Sequence, residues 1–309
     1  MTRSRRGVAL MLVLWLIVLL GTVAAGVVSA AHVETDRVAN LRGRVVARYA
    51  AESGVAAAAA RLNALLGATR SAEEQALVFR DLEQEFAEMR DVALGGARFG
   101  VTVVDLNARV DLNASDDVTL LGFFGQFVGA PMASALVSAL DDWKDLDDRP
   151  RPGGAEAADY ARAGSPFRPT NHPLRRLDEL TRIVGFTDSL ASAVAPYVTV
   201  AGDGKINVNT APEPVLASIP HLGREAARAI VSWREAGQVF GTTADMFGAF
   251  QRAHFSQAIA MWTLVTTSTR LLVVSRGWAP GHPLTHEVQA VYDLTGGRLV
   301  LRGWTERDL

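Results

Sequence analysis

The densest acidic stretch of the chain is "DDWKDLDDRPRPGGAEAADY", which begins at residue 141. Carboxylate oxygens are the hard ligands that calcium takes in proteins, and two adjacent glycines would let the loop fold back on itself. The order of the residues does not match an EF-hand loop. Five carboxylates of this stretch could therefore converge as ligands of a calcium ion. These candidate ligands are Asp142, Asp145, Asp147, Asp148 and Glu156.

A second interpretation of the same stretch is a solvated acidic helix end. Lys144, Arg149 and Arg151 lie among the acids and could neutralise them. Charge runs are most often exposed faces, so composition alone favours this interpretation. A further loop, "TVAGDGKINVN", has fewer carboxylates and is a weaker candidate for a cation site.

Other site chemistries have little support in the sequence. Of the six histidines only His282 and His286 are close, and Pro283 removes the helix that would place both rings on one face. The chain has no nucleophile elbow, and "GDGK" lacks the spacing of a phosphate-binding loop. We therefore predict no catalytic residues and do not expect an enzyme.

The segment "INVNTAPEPVLASIPHLGREAARAIVSWREAG" has the pattern of a helix-hairpin-helix module. Such hairpins present backbone N–H groups to a DNA phosphate from a Gly-x-Gly turn. Here His221 replaces the first glycine, and the neighbouring charges are balanced. This favours a packing role, while a membrane-anchored DNA receptor stays as the alternative function.

These candidate sites must be positioned by helices and strands that the periodicity predicts. One long helix should run to Leu66, bent at Gly43 and Gly54. A second helix should run from Ser71, which offers a capping box, to Met89. The alternation from Phe99 onward predicts a hairpin that turns near Asn107 into a strand at residues 109–112.

A mostly helical block, residues 114–267, is bracketed by strands. Three alternating segments follow it: "TRLLVVSRGW", "LTHEVQAVYDL" and "GRLVLRGWTE". The block is therefore expected to be an insertion into one sheet. It also contains a weak repeat, because "VDLNAS" at residue 110 returns as "INVNTA" at residue 206. In each copy an Asn is expected to cap the following helix.

The amino terminus has the composition of a membrane anchor. Arg3, Arg5, Arg6 and Gly7 precede an uncharged run that extends from residue 8 to residue 31. At about 1.5 Å per residue this run spans roughly 36 Å, more than a bilayer core requires. The basic start favours the cytoplasmic side and leaves the bulk of the chain outside. A cleaved secretory signal is the competing interpretation, with "VVSAA" as the cleavage site.

Composition otherwise describes an exported globular protein. The chain has 309 residues, no cysteine, 49% hydrophobic and 21% charged residues. Absence of thiols suits an oxidising compartment. A net charge of −2 gives no electrostatic support for binding nucleic acid or an anionic surface.

With these residues in hand, the chain resembles the K-type minor pseudopilins of the type II secretion system. The resemblance covers nearly the whole chain. It rests on the basic leader ending at Gly7, the apolar helix, "AESG", "DLNARVDLN", "DDWKDLDD" with "GAEAADY", "LDEL" and "INVNTAPEPVL".

The resemblance implies processing, partners and a metal. A prepilin peptidase would cut after Gly7 and methylate the new amino terminus at Val8. Calcium is implied in the inserted domain. The I-type and J-type minor pseudopilins are implied as partners, the inner membrane as the anchor site, and the tip of a periplasmic pseudopilus as the location.

One departure from other pilin-like proteins is shared with the K-type family. Most of them carry a glutamate five residues after the cut, which can pair with the amino terminus of a neighbouring subunit. Here that position is Leu12. A carboxylate in a bilayer is costly unless it is paired, so its absence suits a subunit that does not fit below another.

The expected fold class is α+β, with a pilin-like long N-terminal helix, an antiparallel β-sheet and a large inserted all-helical domain. The expected parts are a leader (1–7), a transmembrane and extended helix (8–66), the start of the pilin-like domain (67–113), the inserted helical domain (114–267) and C-terminal strands that complete the sheet (268–309).

Overall fold

The computed structural model describes residues 3–252 and 263–309 and, of these, the side chains of all but residues 3–9 and 250–252. Residues 1–2 of the expected leader and residues 253–262 of the expected insertion therefore lie outside the described residues. The helices, in chain order, are α1 (Arg3–Ala68), α2 (Ala72–Arg80), α3 (Leu82–Glu85), α4 (Asp117–Phe124), α5 (Ala130–Lys144), α6 (Ala157–Arg162), α7 (Asp188–Val194), α8 (Glu213–Ala217), α9 (Gly223–Glu235) and α10 (Thr243–Arg252).

The strands form one large sheet and two small ones. In chain order they are β1 (Val92–Leu94), β2 (Ala97–Asp105), β3 (Val110–Asp111), β4 (Val198–Thr199), β5 (Ile206–Asn207), β6 (Leu264–Val265), β7 (Arg270–Trp278), β8 (Thr285–Thr295) and β9 (Arg298–Asp308). The large sheet is antiparallel in the order β1-β2-β7-β8-β9. Strands from before and after the helical block thus pair directly, which confirms the expected fold class.

Helix α1 has two halves with different surroundings. From Leu10 to Val28 its large apolar side chains are exposed, and an 18-residue window has a mean hydropathy of 2.6. The helix is therefore long and apolar enough to cross a membrane once. Farther along, small and apolar side chains at helical spacing are buried against the sheet. This buried stripe consists of Ala47, Ala51, Val55, Ala58, Leu62 and Leu66.

Two glycines permit the close approach of α1 to the sheet. A Cβ at Gly54 would collide with Ser275 and with the ring of Phe99, and a Cβ at Gly277 on β7 would collide with the α1 backbone at Ala47 and Ala51. A bend is expected at Gly54 from the sequence, because glycine destabilises the interior of a helix. In the structure α1 continues through it, and the missing side chain makes room for the sheet.

The segment after α1 is more broken than expected. The single helix predicted from Ser71 to Met89 is wrong, because the chain forms α2, α3 and a 3₁₀ turn over Ala87–Arg90. Ser71 does cap α2 and accepts the Glu74 N–H at 3.1 Å. The Glu74 carboxylate accepts the N–H of Arg70 rather than that of Ser71. Asp81 ends α2, and residues of its type favour helix ends over helix interiors.

The predicted hairpin around Asn107 is also wrong. β2 pairs with β1 and β7, whereas β3 pairs in parallel with β4, far along the chain. A 3₁₀ turn over Leu106–Ala108 directs the chain away from the sheet. β5 and β6 form a second parallel pair. Each copy of the repeated motif therefore begins with one strand of a two-stranded parallel sheet, β3 in the first copy and β5 in the second.

The repeated Asn residues hold distant backbone segments rather than the next helix. Asn113 accepts the Leu174 N–H at 2.9 Å and donates to the carbonyls of Leu174 and Val200. Asn209 has the same pattern of contacts, because it accepts one N–H from Phe240 and donates to two carbonyls. The helix-capping expectation is thus wrong for both copies, because Asn113 and Asn209 contact distant segments and the residue before α8 is Pro212. Asp116 caps α4 instead and accepts the Thr119 N–H at 2.7 Å.

A third member of this pattern, Asn107, joins the large sheet to the helical block. Its Oδ1 accepts the N–H groups of Thr269 and Arg270, and its amide donates to Asp203 at 2.8 Å. Asp203 also accepts from the Thr269 hydroxyl at 2.6 Å. The "GDGK" loop is therefore a hydrogen-bonded connector between the two parts of the fold.

Two apolar cores result. One lies between α1, α2 and the large sheet, and the other fills the helical block. In the second core Trp143 and Tyr160 are almost fully buried, with ring centroids 5.9 Å apart. Tyr160 also accepts the N–H of Val184 at 2.9 Å, which ties α6 to a distant loop. This packing fixes the end of α5 relative to the start of α6.

Candidate functional site

The end of α5 presents Asp142 to the loop that leads to α6. The side chain is 0% exposed, and its two oxygens accept the Arg151 N–H at 3.2 Å each. Burial raises the pKa of Asp142, and the neighbouring charge of Asp145 raises it further, while hydrogen bonds from backbone N–H groups oppose the change. A Cβ at Gly154 would collide with this carboxylate, so glycine is required at that turn.

Glu156 faces Asp142 from the start of α6. Its backbone N–H donates to Asp159 at 3.1 Å, which fixes the first turn of the helix. Its own carboxylate is buried, and neither oxygen has a hydrogen-bond partner in the described part of the chain. Burial raises the pKa of Glu156 to about 7, with further contributions from the charges of Asp142, Asp145 and Asp148.

Three of the five predicted ligands meet. Single oxygens of Asp142, Asp145 and Glu156 lie within 4.8 Å of one another. We call these three residues the acidic cluster. Asp147 and Asp148 are exposed on the loop outside it, and Asp147 accepts the Arg149 N–H at 2.9 Å. The structure thus groups three of the predicted side chains and leaves two in solvent.

The basic residues of this stretch do not neutralise the acidic cluster. Lys144 pairs with Asp141 at 3.2 Å and donates to the Leu112 carbonyl at 2.9 Å. Arg151 pairs with Asp141 and with Asp117. Over the residues that the structure describes, no ion pair reaches a carboxylate of the acidic cluster. The solvated helix end with internal neutralisation therefore does not describe these three residues.

The acidic cluster has the donor set of a hard-cation site. Buried carboxylates without partners are unfavourable, and a divalent cation would compensate their charge and satisfy their lone pairs. Among the described residues, one oxygen of Asp145 and both oxygens of Glu156 are buried without a hydrogen-bond partner. The residues present therefore fit calcium by ligand type, charge and burial.

The predicted processing residues lie at the start of α1. Gly7 and Val8 are within the helix, and their side chains are outside the described residues. Leu12 is 66% exposed, so the position that lacks glutamate faces outward from this chain. That half of α1 presents an uninterrupted apolar surface.

The helix-hairpin-helix segment forms α8 and α9. The turn between them contains His221 and Gly223, both with positive φ (65° and 75°). Buried side chains of both helices, including Val215, Leu216 and Ile230, belong to the core of the helical block. Arg228 pairs with Glu213 at 3.0 Å, so that charge is compensated within the hairpin. These contacts support the packing role.

The two neighbouring histidines have separate surroundings. The His286 ring is buried against Asp308 at 2.7 Å, and the His282 ring packs against Gly43 of α1 and contacts Asn40 at 3.2 Å. Asn107, Asn113 and Asn209, which we call the Asn clamps, are the main structural residues that the sequence interpretation missed. The signal was present, because "DLN" occurs at residues 105–107 and 111–113 and "NVN" at 207–209.

Comparison with known proteins gives a consistent assignment. Two family models described as type II secretion system (T2SS), protein K match residues 105–203 and 206–267, together more than half of the chain. The chain is 25% identical over 224 residues to the putative type II secretion system protein K of Escherichia coli strain K12, covering 68% of this chain and 66% of that relative. The chain thus spans just under two thirds of the length of that relative.

A second relative and a solved structure agree with this. The type II secretion system protein K of Pseudomonas aeruginosa is 28% identical over 265 residues, covering 76% of this chain and 74% of the relative. The fold is similar to that of a chain in the crystal structure of the GspK-GspI-GspJ complex from enterotoxigenic Escherichia coli. That match has a TM-score of 0.69 at 17% identity and covers 88% of this chain and 99% of the other. The chain therefore belongs to the type II secretion system protein K family.

Proposed function

We propose that this protein is a minor pseudopilin at the tip of the type II secretion pseudopilus, where it initiates or caps assembly and supports export of folded periplasmic proteins. The observation that carries the proposal is the form of α1. Its amino-terminal half is apolar and exposed, and its other half is fixed to the sheet. A helix of this kind serves first as a membrane anchor and then as a packing surface for other subunits.

The exposed face of α1 beyond the apolar run is the surface for partners. Val38, Leu41 and Val45 are each at least half exposed and recur at helical spacing. Helix-in-groove contacts use such a row of apolar anchors. The similar chain in the E. coli structure is part of a complex with GspI and GspJ. We infer that I-type and J-type minor pseudopilins pack on this face.

The helical block accounts for the terminal position. It replaces a simple connection between β2 and β7 with a bulky second core beside the sheet. Leu12 supplies no carboxylate to the amino terminus of another subunit. Both features suit a subunit that begins or ends a filament rather than one in its middle.

The assembly proposal is tested by co-expressing the full chain with the I-type and J-type proteins encoded in the same genome. We expect a complex of all three after affinity purification. A variant carrying Val38→Asp and Leu41→Asp should lose the partners, whereas Val118→Asp, an equally exposed site on α4, should keep them. Absence of a three-protein complex, or equal recovery with both variants, contradicts the proposal.

Processing is a separate part of the proposal. A prepilin peptidase would cut after Gly7, and Val8 would carry a methyl group on its nitrogen, with the mature chain in the inner membrane and its bulk in the periplasm. Intact-mass analysis of the membrane form, with and without the peptidase, tests this directly. Removal of "MTRSRRG" with addition of one methyl group is expected. Cleavage near Ala30 or Ala31 would contradict it.

Calcium binding by Asp142, Asp145 and Glu156 completes the proposal. The acidic cluster lies between α5 and α6, so a bound cation would link the two helices. When bound, calcium supplies charge compensation and oxygen coordination, and the role of the ion is structural.

The same purified complex also tests the DNA-receptor alternative, which requires salt-dependent DNA binding through residues 206–236.

A further inference from the structure

A cleft lies between the large sheet and the helical block, on a different part of the molecule from the acidic cluster. Its volume is about 590 Å³. One wall comes from α2, α3 and β2, with Phe79, Leu82 and Val103. The opposite wall includes Pro212 and Val231, the latter on α9. The cleft is thus a crevice with apolar walls at the junction of the two cores.

Two of the arginines that line this cleft have no carboxylate partner in the part of the chain that the structure describes. Neither Arg109 nor Arg234 forms an ion pair within residues 3–252 and 263–309, although each is only partly exposed. Arg234 donates one hydrogen bond, to the Val208 carbonyl at 3.2 Å. Burial lowers the pKa of both groups, that of Arg234 to about 10, and nearby acids oppose the change. A guanidinium withdrawn from water without a counter-charge is unfavourable and favours an anionic partner.

The acids that line the cleft are mostly engaged elsewhere. Asp105 accepts from the Asn107 N–H at 2.8 Å and from Asn207 at 3.1 Å, and it also accepts from the Thr210 hydroxyl. Burial raises the pKa of Asp105 and so weakens its ability to compensate Arg109. Glu83 pairs with Arg90 at 2.6 Å. The donors of Arg109, and those of Arg234 apart from its bond to Val208, therefore remain for a ligand.

We infer that this cleft binds a carboxylate-bearing peptide segment of a partner protein, with the carboxylate held by Arg109 and Arg234 and a neighbouring apolar side chain against the walls. The forked guanidinium matches a carboxylate in two parallel hydrogen bonds. Glu83 and Glu235 also line the cleft, and their charges disfavour a doubly charged phosphate. The described lining residues all lie outside α1, so the inference does not depend on the proposed packing of that helix.

The probe for this site is 4-methylpentanoate, which combines one carboxylate with a branched apolar body. Binding to the full chain in detergent micelles is measured by saturation-transfer NMR, beside 4-methylpentanamide and 3-methylbutyl phosphate. We expect the carboxylate to bind and the amide not to bind. Arg109→Gln and Arg234→Gln should each raise the Kd of the carboxylate about tenfold, because a charge-assisted hydrogen bond is lost. Arg224→Gln, an exposed arginine on α9, is the matched control and should bind like the parent.

The probes also partition into the micelles, and this contributes equally to the signal of the parent protein and of every variant. Differences between the parent and the variants therefore report binding to the protein. Arg109→Lys and Arg234→Lys keep the charge, so they should retain more binding than the Gln variants and guard against loss by misfolding. Circular dichroism verifies that each variant is folded. Three results would overturn the inference. The parent protein does not bind the carboxylate, it binds the amide or the phosphate as tightly as the carboxylate, or the folded Gln variants bind the carboxylate with an unchanged Kd.

Discussion

Asp142 at the end of α5 and Glu156 at the start of α6 place carboxylate oxygens within 4.8 Å of each other, although α5 and α6 are separated by a loop of twelve residues. No ion pair compensates either charge in the described ranges. The basic side chains nearest in sequence are bound to Asp141 instead. We therefore expect the helical block to respond to cations, and two predictions depend on this relationship.

The first prediction concerns removal of single carboxylates from the acidic cluster. We expect calcium to raise the Tm of the parent protein, because ligand binding to the folded state stabilises it by mass action, and Asp142→Asn or Glu156→Gln should abolish this increase. Scanning calorimetry with calcium or with a chelator measures the effect. Asp147→Asn, an exposed acid outside the acidic cluster, is the control and should respond to calcium like the parent. A full calcium response in the Glu156 variant would show that the cation binds elsewhere.

The second prediction concerns pH. The pKa of Glu156 lies near 7 in the folded protein, above its ordinary value of 4.5. Without metal, the folded state therefore holds a proton that the unfolded chain releases, so stability should fall as pH rises from 4.5 to 7. Calcium requires the deprotonated form, so its affinity should rise by about tenfold per pH unit in that window and level off above it. Calorimetry across this range measures both slopes, and Glu156→Gln should make the metal-free slope shallower and abolish the pH-dependent response to calcium.

The third prediction concerns the contact between α1 and the sheet. Gly277→Ala should reduce the free energy of unfolding by about 1–3 kcal/mol, because the added methyl group meets the α1 backbone rather than a movable side chain. Urea unfolding of the full chain measures this. Gly303→Ala on β9 is the matched control, since the nearest atom to its Cβ is 3.8 Å away. Equal stability of the two variants would mean that α1 can shift at no cost.

The fourth prediction concerns the Asn clamps. Asn209→Ala should reduce the free energy of unfolding by at least about 3 kcal/mol, since it leaves two buried backbone groups and one partly buried backbone group without partners, and each costs about 1–3 kcal/mol. Those groups belong to Phe240 and Thr266. Asn63→Ala, on an exposed face of α1, is the control. If the two substitutions have similar effects in urea unfolding, water replaces the clamp and the Asn contributes little.

The elements with strong periodicity were predictable from the sequence. Helix α1 and the three C-terminal strands are long, and their apolar patterns dominate local preference, so their existence followed from the residues alone. The partner of β3 was not predictable. Its strand is only two residues long, Val110–Asp111, and its pairing with Val198–Thr199 depends on the tertiary packing of the helices between them.

The acidic cluster shows a similar division. The residues Asp142, Asp145 and Glu156 were among those predicted, because carboxylate density marks the stretch. Composition could not separate them from Asp147 and Asp148, since burial is decided by the packing of Trp143 against Tyr160. Nor could it show that Lys144 and Arg151 pair with Asp141. The cleft lined by Arg109 and Arg234 could not be predicted from the sequence, because its walls come from segments far apart in the chain.

We propose that α1 joins this protein to partner pseudopilins, and single-cysteine crosslinking in membranes tests this most directly. The chain has no cysteine, so one introduced thiol is the only one present. We expect Val38→Cys, 56% exposed on α1, to form disulfide products with I-type or J-type proteins that carry cysteines on their own helices. Leu146→Cys, 87% exposed in the helical block, should not form them. Crosslinks at Leu146→Cys alone, or none at Val38→Cys when both partners are present, would contradict the account.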